Sequence, residues 1–173
     1  MKAAITFMVV PVAASLWALG HAEGNVEKNR EVIRRSHEKL NRGDWKAAVE
    51  DFAEDTRNHG RPVGRQGVRR VLEDIYTTFP DFRMEIADMV AEGDSVVVRS
   101  RVSGTHRGTG KLPVNGGMLV GVAPTQKHFE IQHIHWYKLH DGKIVDHCAN
   151  RDDIGMMQQL GLPPKVASPD LKR

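Results

Sequence analysis

The chain predicts an α+β domain, with helices packed on one face of a strongly curved, mostly antiparallel sheet. Three observations point there. Three segments with apolar residues at helical spacing occupy the first half of the chain. Segments of period-two alternation fill most of the second half. Asp141-Gly142 is a tight-turn pair that joins the last two strands into a hairpin, and a short helix follows. A bent sheet backed by helices forms a cone whose closed end is core and whose open end is a cavity.

The first segment stands outside the fold argument. Lys2 precedes an apolar run over residues 3–19, and Gly20-His21-Ala22 offers small residues at both positions that a signal peptidase reads. A membrane span needs ~20 apolar residues, and this run contains Pro11. The expectation is a signal peptide over residues 1–22, a cone domain over 23–164 and a mobile tail over 165–173. The mature protein would then be periplasmic or secreted, with no stable membrane association after cleavage.

Each element has its own signal. Residues 26–40 form a polar helix with a weak stripe of Val32, Ile33 and Leu40, and Asn41-Arg42-Gly43-Asp44 breaks it. Asp44 caps a second helix in which Trp45, Ala48, Val49 and Phe52 share a face. Residues 56–59 are extended, and Gly60-Arg61-Pro62 turns the chain. Residues 65–79 form a third helix with Val68, Val71, Leu72, Ile75 and Phe79 on one side. Pro80 ends it, because the residue before a proline avoids helical angles.

The strands follow. Phe82, Met84 and Ile86 alternate with Arg83, Glu85 and Ala87. Glu92-Gly93-Asp94 turns into a strand over residues 95–103, with Arg99 and Arg101 on its outer face. Residues 104–124 are glycine-rich and read as a long loop or loose hairpin. Residues 129–139 and 143–150 make the final hairpin. Arg151-Asp152-Asp153 opens a helix through Met156, Met157 and Leu160, closed by Gly161.

Composition narrows the function classes. Lys+Arg number 25 and Asp+Glu 22, a net charge of +3 that falls to +2 once Lys2 leaves with the signal. So small and interspersed an excess argues against nucleic acid as a partner. With one cysteine, Cys148, no intramolecular disulfide forms, and the core alone must hold an exported domain together. Cys148 reads as a small buried strand residue.

Several pieces in a fixed order carry a resemblance. They are Trp45 with Phe52; Gly64-x-x-Gly67; Phe79-Pro80-Asp81-Phe82; Glu92-Gly93-Asp94 with Val96-Val97-Val98-Arg99; Gly104-Thr105-His106-x-Gly108; Gly121 with Pro124-Thr125; His135 before Asp141-Gly142-Lys143-Ile144-Val145; and Gln158-Gln159-Leu160-Gly161. In this order the chain resembles the SnoaL-like polyketide cyclases, or ester cyclases, of the nuclear transport factor 2-like cone fold. The resemblance implies a small, largely apolar carbonyl ligand, cofactor-free acid–base chemistry and a homodimer. It places the family's working histidine at His135. The family's aspartate falls on Ala149, so the carboxylate is missing.

Histidine suits proton transfer because it titrates nearest neutral pH. On one strand His133, His135 and Tyr137 share a face. If Ala149 faces the cavity, His147 and Val145 do so too, and Asp146 points away. The candidate catalytic pair is His135 with His147. The candidate ligand-binding residues are Asn58, His59, His106, His133, Tyr137 and Ala149. Each has a plainer role. His135 and His147 also read as polar wall residues, His133 as a satisfied core histidine, His59 as a turn residue and His106 as an exposed loop residue. His133, His135 and His147 lack a carboxylate or cysteine at a ligand spacing, so no metal is expected, and no cofactor.

Two functions remain open. One is a cofactor-independent cyclase, isomerase or lyase acting by aldol cyclisation, isomerisation or dehydration. The other is a non-catalytic, exported small-ligand-binding protein on the same fold, favoured by Ala149.

Overall fold

A computed structural model describes the backbone of residues 12–113 and 118–162, with side chains from residue 25 onward. The described elements run α1 (Val12–Asn41), α2 (Trp45–Val49), β1 (Phe52–Asn58), β2 (Arg61–Pro62), α3 (Gly64–Thr78), β3 (Arg83–Glu92), β4 (Ser95–Thr105), β5 (His128–His140), β6 (Lys143–Arg151) and α4 (Asp153–Gln159). The expected tail at 165–173 lies outside the described residues, as do the first eleven residues of the expected signal segment. From Val12, α1 continues without a break past Ala22.

One curved sheet holds the strands in the order β2-β1-β6-β5-β4-β3. All neighbours are antiparallel except β1 and β6. The central strands explain why the sheet has a wet and a dry face. In β5 burial alternates residue by residue, with Phe129, Ile131, His133, His135, Tyr137 and Leu139 inward. In β4 Val96, Val98, Ser100 and Val102 do the same. Arg99 and Arg101 are exposed and meet Asp88, Glu85 and Glu130 on the outer face, as expected.

Helix α1 crosses that inner face. Its stripe looked weak because two of its core positions are polar. Val32, Ile33, Ser36, His37 and Leu40 are all buried, at the i, i+4, i+8 spacing of one helix face. Helix α2 is capped by Asp44, whose side chain accepts from the Ala47 N–H at 3.2 Å. It stops at Val49, and Phe52 begins β1 instead of ending the helix. The sheet captures the chain there, since Ile144 N–H donates to the Asp51 carbonyl at 2.9 Å. Residues 61–62, expected as a turn, pair with Arg57 and Asn58 as β2.

Helix α3 carries the apolar face expected of it, yet Val68, Val71, Leu72 and Ile75 are only half-buried. All four line a cavity, and Leu72 and Ile75 also pack against the core. Its fully buried residues are Asp74 and Thr78. Asp74 accepts the N–H groups of Lys111 and Leu112 at 2.8 and 3.2 Å. That contact ties the 106–127 loop to the helix.

The β5–β6 hairpin turns at Asp141-Gly142, both at positive φ (47° and 71°). The pairing then slips between Lys138 and Leu139. Leu139 faces Ile144, but Lys138 faces Asp146, so Val145 is the extra residue of a bulge. The bulge reverses the facing of the strand. Ile144 is fully buried, and His147 and Ala149 point the same way. Val145 therefore does not join His147 in the cavity wall, contrary to simple alternation. Cys148 lands opposite the half-exposed Trp136 on the outer face, and is itself only partly buried. Asp152 caps α4 by accepting from Gly155 N–H at 2.8 Å.

Candidate functional site

A cavity of about 660 Å³ opens between α3 and the inner face of the sheet. Its depth is apolar, with Leu40, Phe79, Met84, Val102, Phe129, Ile131 and Met156. Its polar wall comes from the middle of β5, the end of β6 and β1. His133, His135, Tyr137, His147, Ala149, Asn58 and His59 all line it. These seven expected residues are thus brought together. A volume of this size suits one small organic molecule.

His106 is not in that wall. The expected exposed loop residue is fully buried, packed against Phe79 with ring centroids 5.8 Å apart. Its Nδ1 accepts from Thr125 N–H at 3.3 Å, and its backbone bonds to Lys127 and Gln126. It staples the loop and touches no ligand space. Burial lowers its pKa.

The centre of the wall is an imidazole pair. His135 Nδ1 lies 2.9 Å from His147 Nε2, and the rings stack at 5.2 Å. The register sets Ala149, not His147, directly across from His135. The pair is therefore a diagonal one, made across a position where a larger side chain would intervene. His133 continues the row at 5.4 Å from His135. The Nε2 atoms of His133 and His135 are buried without a hydrogen-bond partner among the described residues.

Behind them stands a residue that sequence reading passed over. His37, on α1, is 2% exposed. Its Nδ1 lies 3.1 Å from the Met84 carbonyl, and its Nε2 lies 3.1 Å from the Tyr137 hydroxyl. A carbonyl only accepts, so Nδ1 carries the proton. Nε2 of the neutral ring must then accept, and Tyr137 O–H donates to it. The tautomer is settled by geometry, and Tyr137 is fastened at its hydroxyl. The signal was present in the sequence: Ser36-His37 fills the gap between Val32-Ile33 and Leu40 on one helix face.

Electrostatics keep these rings neutral. Burial pulls His37 down to about 4. Burial, then the charge of Arg151, takes His133 to about 4. His147 falls to about 4 through burial and then His59. His135 is pushed well below the ordinary imidazole value by burial, with His147 and His133 adding to it. Burial also raises Tyr137. At neutral pH His133, His135 and His147 are therefore uncharged, each with one lone pair and one N–H.

The shared proton of the pair gives it two forms. When His135 donates through Nδ1, its Nε2 is a lone pair. When His147 donates through Nε2, His135 Nε2 carries hydrogen. The same atom can thus act as base or as acid, with His147 absorbing the change. Among the described residues no group of three or more His, Cys, Asp or Glu side chains is arranged to hold a metal ion.

Known proteins share this architecture. A family model described as SnoaL-like polyketide cyclase matches residues 30–160. Nogalonic acid methyl ester cyclase from Streptomyces nogalater is 29% identical over 109 residues, which span 62% of this chain and 75% of that protein. The crystal structure of IdmH from Streptomyces antibioticus is 28% identical, with a TM-score of 0.62 over 78% of this chain and 99% of that one. AclR from Streptomyces galilaeus shares the fold at a TM-score of 0.67 and 22% identity, over 79% of this chain and 97% of that one. A cone built on this sheet, with that match over most of its length, places the chain in the SnoaL-like polyketide cyclase family.

Proposed function

We propose that the cavity binds a small, largely apolar carbonyl compound and that the His135–His147 pair performs cofactor-free acid–base chemistry on it. The observation that supports this most directly is the 2.9 Å Nδ1–Nε2 contact together with a buried, unpartnered Nε2 on His135, a residue that lines the cavity. In the aldol form, Nε2 takes a proton from the carbon next to a carbonyl. The electron pair moves to the carbonyl oxygen, and the resulting enolate carbon attacks a second carbonyl of the same molecule. The new alkoxide takes the proton back from Nε2, so no proton is consumed. Isomerisation uses the same two transfers without the new bond, and dehydration ends with loss of water.

His133, Tyr137, His59 and Asn58 position the ligand in this reading. The activity test compares turnover of activated dicarbonyl substrates by the native chain, His135→Ala and His147→Ala. Loss of general acid–base help costs about 10²–10⁴-fold, and His135→Ala should show the larger loss. Equal rates in all three would end the catalytic reading.

A second reading, a non-catalytic binder, is favoured by one observation: Ala149 stands opposite His135, and no Asp or Glu lines the cavity among the described residues. Ligand bound tightly with no turnover in any variant would select it. For the same protein we propose export followed by removal of residues 1–22, and a homodimer in solution. N-terminal sequencing of exported material should start near Glu23, and sedimentation should give twice the chain mass.

A further inference from the structure

Among the described residues that line the cavity, the charged ones are Arg57, Arg70 and Arg151, and none is Asp or Glu. Arg34, Arg65, Arg69, Arg99 and Arg101 each meet a carboxylate in an ion pair. Arg57 and Arg70 meet none among the described residues.

The three arginines come from three elements, β1, α3 and β6, and all three residues line the cavity. Arg57 sits on β1 in register with Asp146. That carboxylate is committed elsewhere, since its Oδ1 accepts the N–H groups of Gly60 and His147. Arg70 lies on α3, folded back toward Gly67, where an added Cβ would stand 3.9 Å from its Nη2. Arg151 ends β6 directly across from His133. Its Nε is 3.5 Å from Asp153, and its side chain is 32% exposed. Its positive charge reaches inward, being among the influences that hold His133, His135 and His147 neutral, after burial.

Fixed positive charge beside a low-dielectric pocket, with no opposite charge on the lining, attracts anions. Guanidinium forks match the two-oxygen edge of a carboxylate or phosphate. A neutral ligand would use none of this. We propose that the ligand carries an anionic oxygen group, a carboxylate or a phosphate, held at the cavity mouth by Arg57, Arg70 and Arg151 while its apolar body lies between α3 and the sheet. The inference rests on the small-ligand reading above and narrows the substrate class from small carbonyl compounds to carbonyl acids or phosphate esters.

The experiment uses matched probes on the full chain. Naphthoate, naphthyl phosphate and methyl naphthoate are titrated by calorimetry, with one ring system and different charge. At least one anion should bind about tenfold or more tightly than the ester, since charge-assisted hydrogen bonds are stronger than neutral ones; which anion leads identifies the group. That advantage should shrink as salt rises. It should vanish in the triple variant Arg57→Gln, Arg70→Gln, Arg151→Gln, whose ester affinity reports that the cavity is intact. An ester that binds the native chain as tightly as both anions overturns the inference and leaves the small-ligand reading standing. So does a preference that survives in the triple variant. Failure of all three probes to bind overturns both.

Discussion

His135 Nδ1 reaches His147 Nε2 at 2.9 Å although its direct cross-strand partner is Ala149. The small methyl group opposite His135 leaves the diagonal open, and the bulge at Val145 turns His147 to the inner face. The hydrogen-bonding partner of His135 is thereby an imidazole from two residues before the position directly across from it.

Restoring a carboxylate there tests this relationship. Ala149→Asp should raise the pKa of His135 by about 1–3 units, because an opposite charge within a few ångströms favours the protonated ring. The change is read from the imidazole resonances in an NMR titration. A gain in turnover would show that only the acid was missing. No movement of the His135 resonance would mean that the diagonal contact excludes the new side chain.

Acid should unfold the protein early. His37, His133 and His147 have folded pKa values near 4, against an ordinary value of 6.5. Between those pH values the unfolded chain binds more protons than the folded one, so stability falls as pH falls. Above about pH 7 these groups impose no slope. Below 6.5 each contributes up to about 1.4 kcal/mol per pH unit. Urea midpoints across this window should drop steeply, and His37→Gln should remove about one histidine's share of the slope. An unchanged slope in that variant would rule out a neutral His37 in the fold.

Tyr137→Phe should destabilise the domain by about 1–3 kcal/mol, since it leaves the buried His37 Nε2 without its donor. Chemical denaturation measures it. A neutral outcome would mean that water replaces the hydroxyl.

Gly108 marks a close approach of the loop to the end of α3. A Cβ there would sit 2.0 Å from the Thr77 carbonyl oxygen. Arg107 and Gly108 N–H groups both donate to the Thr78 carbonyl at 3.0 Å. Gly108→Ala must push these backbones apart and should cost about 1–3 kcal/mol, read as a lower unfolding midpoint. Asp74→Ala should release the other anchor of the same loop and raise amide exchange at Lys111 and Leu112.

Much of this protein was legible before any coordinates. Helix α3 stops at Thr78, just before Phe79-Pro80, Asp44 and Asp152 cap their helices, and the Asp141-Gly142 turn and the alternation of β5 lie where local rules put them. Those features depend on neighbours in sequence, and local sterics decide them. His133, His135 and Tyr137 were readable as one face for the same reason.

What the sequence by itself determined, then, is the order of elements, the inward face of β5 and the stock of imidazoles. The tertiary structure alone decided the rest. The bulge that reverses β6 is a matter of register between strands, and it moved Val145 off its expected face. The burial of His106 follows from a loop folding back onto Phe79. His37 became part of the site only because α1 packs across the sheet and meets Tyr137, one hundred residues away in the chain. Contacts between distant segments depend on how whole faces fit together, and no local pattern encodes that fit.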